Sequence, residues 1–106
     1  MRNGLLIGLL FVMAACSSRP DGVMSQREMR LFLTDLHLLE GVLAQHPEIA
    51  GDDRLQVYYY NALFEKHGIT KANFDSSLVY YTKQPKRFER IYANVTRQLE
   101  QLEKDV

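Results

Sequence analysis

The sequence predicts an all-α fold, a small bundle of about four helices that follows a cleaved N-terminal signal peptide. Three observations predict this class. Apolar residues recur at steps of three and four in long segments, residues that cap helices stand at the ends of these segments, and the linkers between them are short. The chain has 106 residues, of which 46% are hydrophobic and 25% are charged, as expected for one small domain.

The first residues of the chain are typical of an export signal. Arg2 makes the start basic, residues 5–12 read LLIGLLFV, and small side chains follow shortly afterwards. This apolar run is about half the roughly 20 residues that a helix needs to cross a bilayer. We therefore predict that residues 1–15 form a signal peptide rather than a permanent membrane span.

The segment Met13-Ala14-Ala15-Cys16 resembles the bacterial lipobox, in which cleavage occurs before a cysteine that is then acylated. Cys16 is the only cysteine in the chain, and Met13 stands where leucine is more usual. The resemblance implies a lipoprotein held in the membrane by acyl chains, palmitate among them, on Cys16. By analogy with enterobacterial lipoproteins, Ser17 implies the outer membrane and a periplasm-facing domain. The alternative is an ordinary signal peptide with an incidental cysteine.

The rest of the chain divides into a tether and a domain. Residues 17–23 (SSRPDGV) are polar and contain Pro20 and Gly22, so residues 16–23 are predicted to form an acylated cysteine with a flexible tether. Residues 24–106 are predicted to form the helical domain. Because the single cysteine of the chain is Cys16, this domain has no internal disulfide.

The first predicted helix covers residues 26–45. Ser25 and Glu28 have the spacing of a capping box, and Pro47 disfavours helical geometry at the residue before it. One face is apolar and is expected to enter the core; it carries Met29, Phe32, Leu36, Leu39 and Leu43. A second apolar row, made by Leu31, Leu38 and Val42, lies on the far side of the helix.

The second helix is predicted over residues 53–67, after a loop from Pro47 to Gly51. Asp52 or Asp53 can cap it, and Gly68 is a suitable end. Its apolar residues lie on all sides, so we expect it to be sandwiched between neighbours. Residues 57–60 (VYYY) are also compatible with a short strand, although the capping signals favour a helix.

Two further helices complete the predicted bundle, whose arrangement is either orthogonal or up-and-down. Thr70 can cap a helix over residues 71–83, and Pro85 suits the first turn of a helix over residues 85–104. The latter has the most regular apolar stripe in the chain: Phe88, Ile91, Tyr92, Val95, Leu99 and Leu102.

The residue pattern argues against several functional classes. Three histidines lie on separate segments without the spacing of metal ligands, and no nucleophile has the setting of a catalytic serine, so we expect no metal, no cofactor and no enzyme activity. Residues 63–78 resemble a helix-turn-helix, but 13 basic residues are balanced by 13 acidic ones. An exported chain with balanced charge is not expected to bind nucleic acid, so this corner is interpreted as structural.

Protein binding is the function class that these features favour. Adjacent tyrosines turn by about 100° on a helix, so at least one of residues 58–60 must reach the surface. Tyrosine is common at interfaces. The candidate contact residues are Leu31, Leu38, Val42, Tyr58, Tyr60, Tyr80 and Tyr81. Two alternatives remain, namely tyrosines that merely cover the edge of the core and a module that grips a small ligand or glycan.

Several short elements together resemble one bacterial family. They are Asp35-Leu36-His37, the run KHGIT at residues 66–70, Phe74-Asp75, Tyr80-Tyr81 with Pro85, and Ile91-Tyr92. Their order and spacing resemble the small Bacteroidota lipoproteins of domain-of-unknown-function family 4296. The resemblance implies a helical protein of a Gram-negative cell envelope and transfers no activity. We expect an accessory subunit that binds protein partners in a complex for outer-membrane protein assembly or transport.

Overall fold

A computed structural model describes residues 19–105, so the predicted signal peptide and Cys16 lie outside the described residues. Within this range the chain forms five helices and no strand, which confirms the all-α prediction and rules out the alternative strand at residues 57–60. The helices are α1 (Gln26–Gln45), α2 (Pro47–Ala50), α3 (Asp53–His67), α4 (Lys71–Thr82) and α5 (Pro85–Lys104). None of these five helices combines the length and the hydropathy that a membrane-spanning helix requires.

The predicted capping residues begin α1 and α4. The Ser25 hydroxyl accepts the backbone N–H of Glu28 at 3.1 Å, and the Glu28 carboxylate accepts the backbone N–H of Ser25 at 3.2 Å. Thr70 and Asn73 make the same reciprocal pair at the start of α4. Each box satisfies backbone donors that a helix start otherwise leaves without partners. Gly68 ends α3 with a φ of +62°, a conformation that glycine adopts without a steric penalty.

One helical turn, α2, stands where the sequence predicted a loop. Pro47 occupies its first turn, where proline lacks only a donor that would have no helical partner. Asp52, rather than Asp53, caps α3 and accepts the backbone N–H groups of Arg54 and Leu55. A four-residue helix is too short to produce the periodicity from which helices are predicted.

The hydrophobic core is centred on α1, whose most extensive contact is with α5. Phe32 lies at its middle, with its ring centroid 5.3 Å from that of Phe64 and 4.7 Å from that of Phe74. These contacts bring α1, α3 and α4 together. The buried cluster consists of Met24, Met29, Phe32, Leu33, Leu63, Tyr81, Ile91 and Val95.

Helix α3 is not sandwiched, contrary to the prediction from its apolar composition. It packs mainly against α1 and α2, and Leu63 is its one buried residue. Leu55, Val57, Tyr58 and Tyr59 are exposed. Helix α3 returns along α1 at the edge of the bundle, so one flank of its surface is covered and the rest faces solvent.

The chain just before α1 is attached to α4. The backbone N–H of Met24 donates to the Ser77 hydroxyl at 2.8 Å, and the Tyr81 hydroxyl donates to the Met24 carbonyl at 2.7 Å. The Asn73 side-chain amide donates to the Gly22 carbonyl at 3.2 Å. We call residues 22–24 the docked segment. Its contacts hold the part of the predicted tether range that lies nearest to the domain.

Tyr81→Phe is expected to lower the free energy of unfolding by about 1–3 kcal/mol, because it leaves the buried Met24 carbonyl without its donor. Tyr80→Phe is the matched control. The Tyr80 side chain is half-buried, and its hydroxyl makes no hydrogen bond within residues 19–105. Urea denaturation of both variants measures the difference. Equal losses would show that the docked segment does not depend on the Tyr81 hydroxyl.

Candidate functional site

The second apolar row of α1 is exposed to solvent. Leu38 is 43% exposed and Val42 is 52% exposed, and Leu31 is similar. At about 100° per residue, these three side chains and Asp35 lie within an arc of about 60° on the helix. They therefore form one line along α1, outside the core.

The neighbouring flank of α3 continues this line. Lys66 reaches from α3 to Asp35 of α1, which identifies the flank of α3 that faces the row. Leu55 and Tyr59 lie within about 40° of Lys66 around the axis of α3. Because α3 returns antiparallel to α1, both residues run alongside the row. Leu31, Leu38, Val42, Leu55, Tyr58 and Tyr59 are called the α1–α3 surface here.

The two tyrosines of this surface pack against each other. The rings of Tyr58 and Tyr59 meet edge to face, with centroids 5.5 Å apart. Tyr58 is 67% exposed, which confirms the prediction that at least one of the three adjacent tyrosines reaches the surface. Such a pair presents a large apolar area with few rotatable bonds, and this limits the entropy lost when a partner binds.

An ion-paired cluster borders the α1–α3 surface. The Asp35 Oδ2 atom accepts hydrogen bonds from Lys66 Nζ and from His67 Nε2, both at 2.8 Å. The His67 ring also meets the Phe32 ring edge to face, with centroids 5.3 Å apart. These contacts join the middle of α1 to the end of α3. The cluster therefore neutralises a half-buried carboxylate and fixes the relative position of the two helices.

The pKa of Asp35 lies below its ordinary value of 3.8. Partial burial opposes ionisation and raises this pKa. The hydrogen bonds and positive charges of Lys66 and His67 outweigh burial and favour the carboxylate. Asp35 thus stabilises the folded state in its ionised form.

We expect the stability contributed by Asp35 to be complete above pH 3.8 and to be lost as the pH falls through the lower pKa of the folded state. Asp35→Asn removes this contribution, so the difference in unfolding free energy between the wild type and the variant shrinks below that pH. Denaturation curves between acidic and neutral pH measure it. Asp75→Asn, which breaks an exposed pair within α4, is the control. A difference that stays constant with pH would contradict the role of the cluster.

The structure separates the other predicted contact residues. Tyr60 and Tyr80 are half-buried, and Tyr81 is 2% exposed. Including Tyr81 among the surface contacts was therefore wrong, because its ring fills the core and its hydroxyl bonds to Met24. Burial raises the pKa of the Tyr81 hydroxyl, and the charge of Arg19 opposes this shift.

The sequence analysis did not predict two parts of the site, namely the α3 residues of the exposed surface and the ion-paired cluster. Leu55 and Tyr59 were assigned to a helix that was expected to be covered on all sides. The pairing of Asp35 with His67 joins residues far apart in the sequence, so no local spacing indicates it. Within residues 19–105, no group of three or more His, Cys, Asp or Glu side chains is arranged to bind a metal ion.

These features define a small all-α domain that exposes an apolar surface between two neighbouring helices. The chain belongs to the family described as a domain of unknown function, DUF4296, whose profile matches residues 20–105. The match begins just before the docked segment and covers all five helices of the described range. No curated protein and no solved structure matches the chain.

Proposed function

We propose that this chain is an outer-membrane-anchored, periplasm-facing lipoprotein that acts as a non-enzymatic, protein-binding accessory subunit of an envelope complex. Outer-membrane protein assembly and transport are the processes in which we place it. The α1–α3 surface is the observation that carries the protein-binding part. The lipobox at residues 13–16 supports the anchor.

The composition of the α1–α3 surface suits a protein partner. Contiguous exposed apolar side chains on a small domain are typical of interaction sites. Here they are aliphatic and aromatic, and they stand on two helices that the Asp35 cluster holds together. A rigid apolar patch with a polar border is the usual anatomy of a protein interface.

The short chain between Cys16 and the docked segment supports an anchor that lies close to the domain. Only Ser17 and Ser18 separate Cys16 from Arg19, and the docked segment begins soon afterwards. An extended chain covers roughly 3.3–3.6 Å per residue, so the anchor lies within about 10 Å of Arg19. A domain held this close to a membrane meets partners that are themselves in or near that membrane.

Crosslinking in living cells, detergent extraction and mass spectrometry of the purified protein test this function. We expect an envelope protein to copurify in stoichiometric amount. We also expect a palmitate label on the chain that disappears in Cys16→Ala. An unlabelled wild-type chain contradicts the anchor. Recovery of the chain alone contradicts the accessory subunit and favours the alternative of a module that binds a small ligand or glycan.

A further inference from the structure

Helix α5 carries cations on the part of its exposed surface that borders the start of α1. At about 100° per residue, its five cations lie within an arc of about 100°. These are Lys86, Arg87, Arg90, Arg97 and Lys104. The acidic side chains Glu89, Glu100 and Glu103 adjoin the other edge of this arc, so Arg87 and Arg90 lie furthest from them.

Helix α1 adds two arginines to the basic flank. Arg27 and Arg30 line a recess together with Ile91 and Asn94 of α5. A second recess, at the start of α5, is lined by Lys86, Arg87 and Arg90. We call the following six cations the basic surface: Arg27, Arg30, Lys86, Arg87, Arg90 and Arg97. Within residues 19–105 none of them forms an ion pair with a carboxylate.

The docked segment brings the chain out beside the basic surface. Arg19 Nε donates to the Val23 carbonyl at 3.0 Å, and Arg19 lies 3.7 Å from Glu28 in the first turn of α1. Arg19 therefore lies at the first turn of α1, the turn that also carries Arg27 of the basic surface.

We propose that the basic surface rests on the anionic lipid headgroups of the membrane in which Cys16 is anchored, and so fixes the orientation of the domain. This inference depends on the lipid anchor of the proposed function. Attraction between basic side chains and anionic lipids decays within a Debye length of about 8 Å at physiological ionic strength. A connection of about 10 Å from Cys16 to Arg19 keeps the first turn of α1, where Arg19 meets Glu28, near this range.

This orientation leaves Leu38 and Val42 of the α1–α3 surface accessible. Leu38 and Val42 lie about 12 and 18 Å beyond Arg30 along α1, at 1.5 Å per residue. The end of α1 that carries Arg27 and Arg30 would face the lipid, and the more distant half would project away from it. A partner could then bind Leu38 and Val42 without displacing the domain from the membrane.

Reconstitution of the acylated chain into vesicles tests the orientation. One set contains phosphatidylcholine alone, and the other contains roughly one third phosphatidylglycerol. A spin label is placed at Asn94→Cys, in the recess beside Arg27 and Arg30, or at Val57→Cys, on the exposed side of α3. Because Cys16 is acylated, the new cysteine is the only thiol that can react with the label. Collision with a water-soluble nickel relaxant reports whether each label is shielded by headgroups.

We expect the accessibility of the Asn94 label to the nickel relaxant to fall about threefold or more in the anionic vesicles and to stay unchanged in the neutral ones. The accessibility of the Val57 label should be the same in both. Salt at about 1 M, where the Debye length is about 3 Å, should restore the Asn94 value. Arg90→Gln with Arg97→Gln should abolish the shielding. Arg54→Gln with Lys71→Gln removes the same charge elsewhere and should leave the shielding intact.

The outcomes separate this inference from the proposed function. A chain that does not float with either kind of vesicle contradicts the lipid anchor. A chain that floats but shows equal accessibility in neutral and anionic vesicles contradicts the orientation alone. The proposed orientation is also overturned if the control variant, Arg54→Gln with Lys71→Gln, loses as much shielding as Arg90→Gln with Arg97→Gln. If added polyglutamate shields the Asn94 label in neutral vesicles and phosphatidylglycerol does not shield it, the basic surface binds an acidic protein instead.

Discussion

Replacing Phe32 with alanine is expected to lower the free energy of unfolding by about 3–5 kcal/mol. The Phe32 ring is fully buried and lies against the rings of Phe64, Phe74 and His67. Its removal leaves a cavity where α1, α3 and α4 meet, and the remaining rings cannot all close it. Chemical denaturation followed by circular dichroism measures the loss.

The size of this effect matters because small domains have little stability in reserve. A typical domain is stable by about 5–15 kcal/mol, and short chains lie near the lower limit. Tyr58→Ala removes another aromatic ring, but from an exposed position, and should change the stability by no more than about 0.5 kcal/mol. If the two variants were equally stable, Phe32 would not be the centre of the core.

Leu38→Asp is expected to reduce the amount of copurifying partner at least tenfold while leaving the domain folded. A charge introduced at the centre of an apolar contact must be desolvated without an opposite charge, which costs well over the roughly 1.4 kcal/mol of a tenfold change. In the isolated chain the new carboxylate points to water, since Leu38 is 43% exposed. Quantitative mass spectrometry and thermal unfolding measure the two effects.

Val79→Asp is the matched control for this prediction. Val79 is a 56% exposed apolar residue on α4, away from the α1–α3 surface. This variant should retain the partner and unfold at nearly the same temperature. If Leu38→Asp unfolds the domain, then Leu38 belongs to the core and the interface assignment fails. If both variants lose the partner, the loss reflects added charge rather than the α1–α3 surface.

The helices were predictable because their signals are local. Ser25 with Glu28, Gly68 and Pro85 each act within one turn of the backbone, and the apolar stripes of α1 and α5 repeat over 20 residues each. These signals place the ends of the long helices close to where the structure has them. Only α2 was not predicted, because a single helical turn is too short to show the apolar periodicity of a helix.

The site was less predictable because it depends on which faces are covered. The composition of α3 indicates burial on all sides, but a helix at the edge of a bundle is covered on one flank only. Likewise Tyr80 and Tyr81 are equivalent in the sequence, but Tyr81 is the one that is buried in the core, where its hydroxyl donates to Met24 of the docked segment. The pair of Asp35 with His67 also requires knowledge that α3 returns along α1.

Site-specific photocrosslinking in cells tests most directly whether the α1–α3 surface is a protein interface. A photoreactive phenylalanine analogue replaces Leu38, Tyr59 or, as a control, Val79 in otherwise unchanged protein. We expect probes at Leu38 and Tyr59 to form an adduct of the same mass with one envelope protein, and the probe at Val79 to form none. Absence of an adduct at both surface positions, or the same adduct from Val79, would contradict the proposed interface.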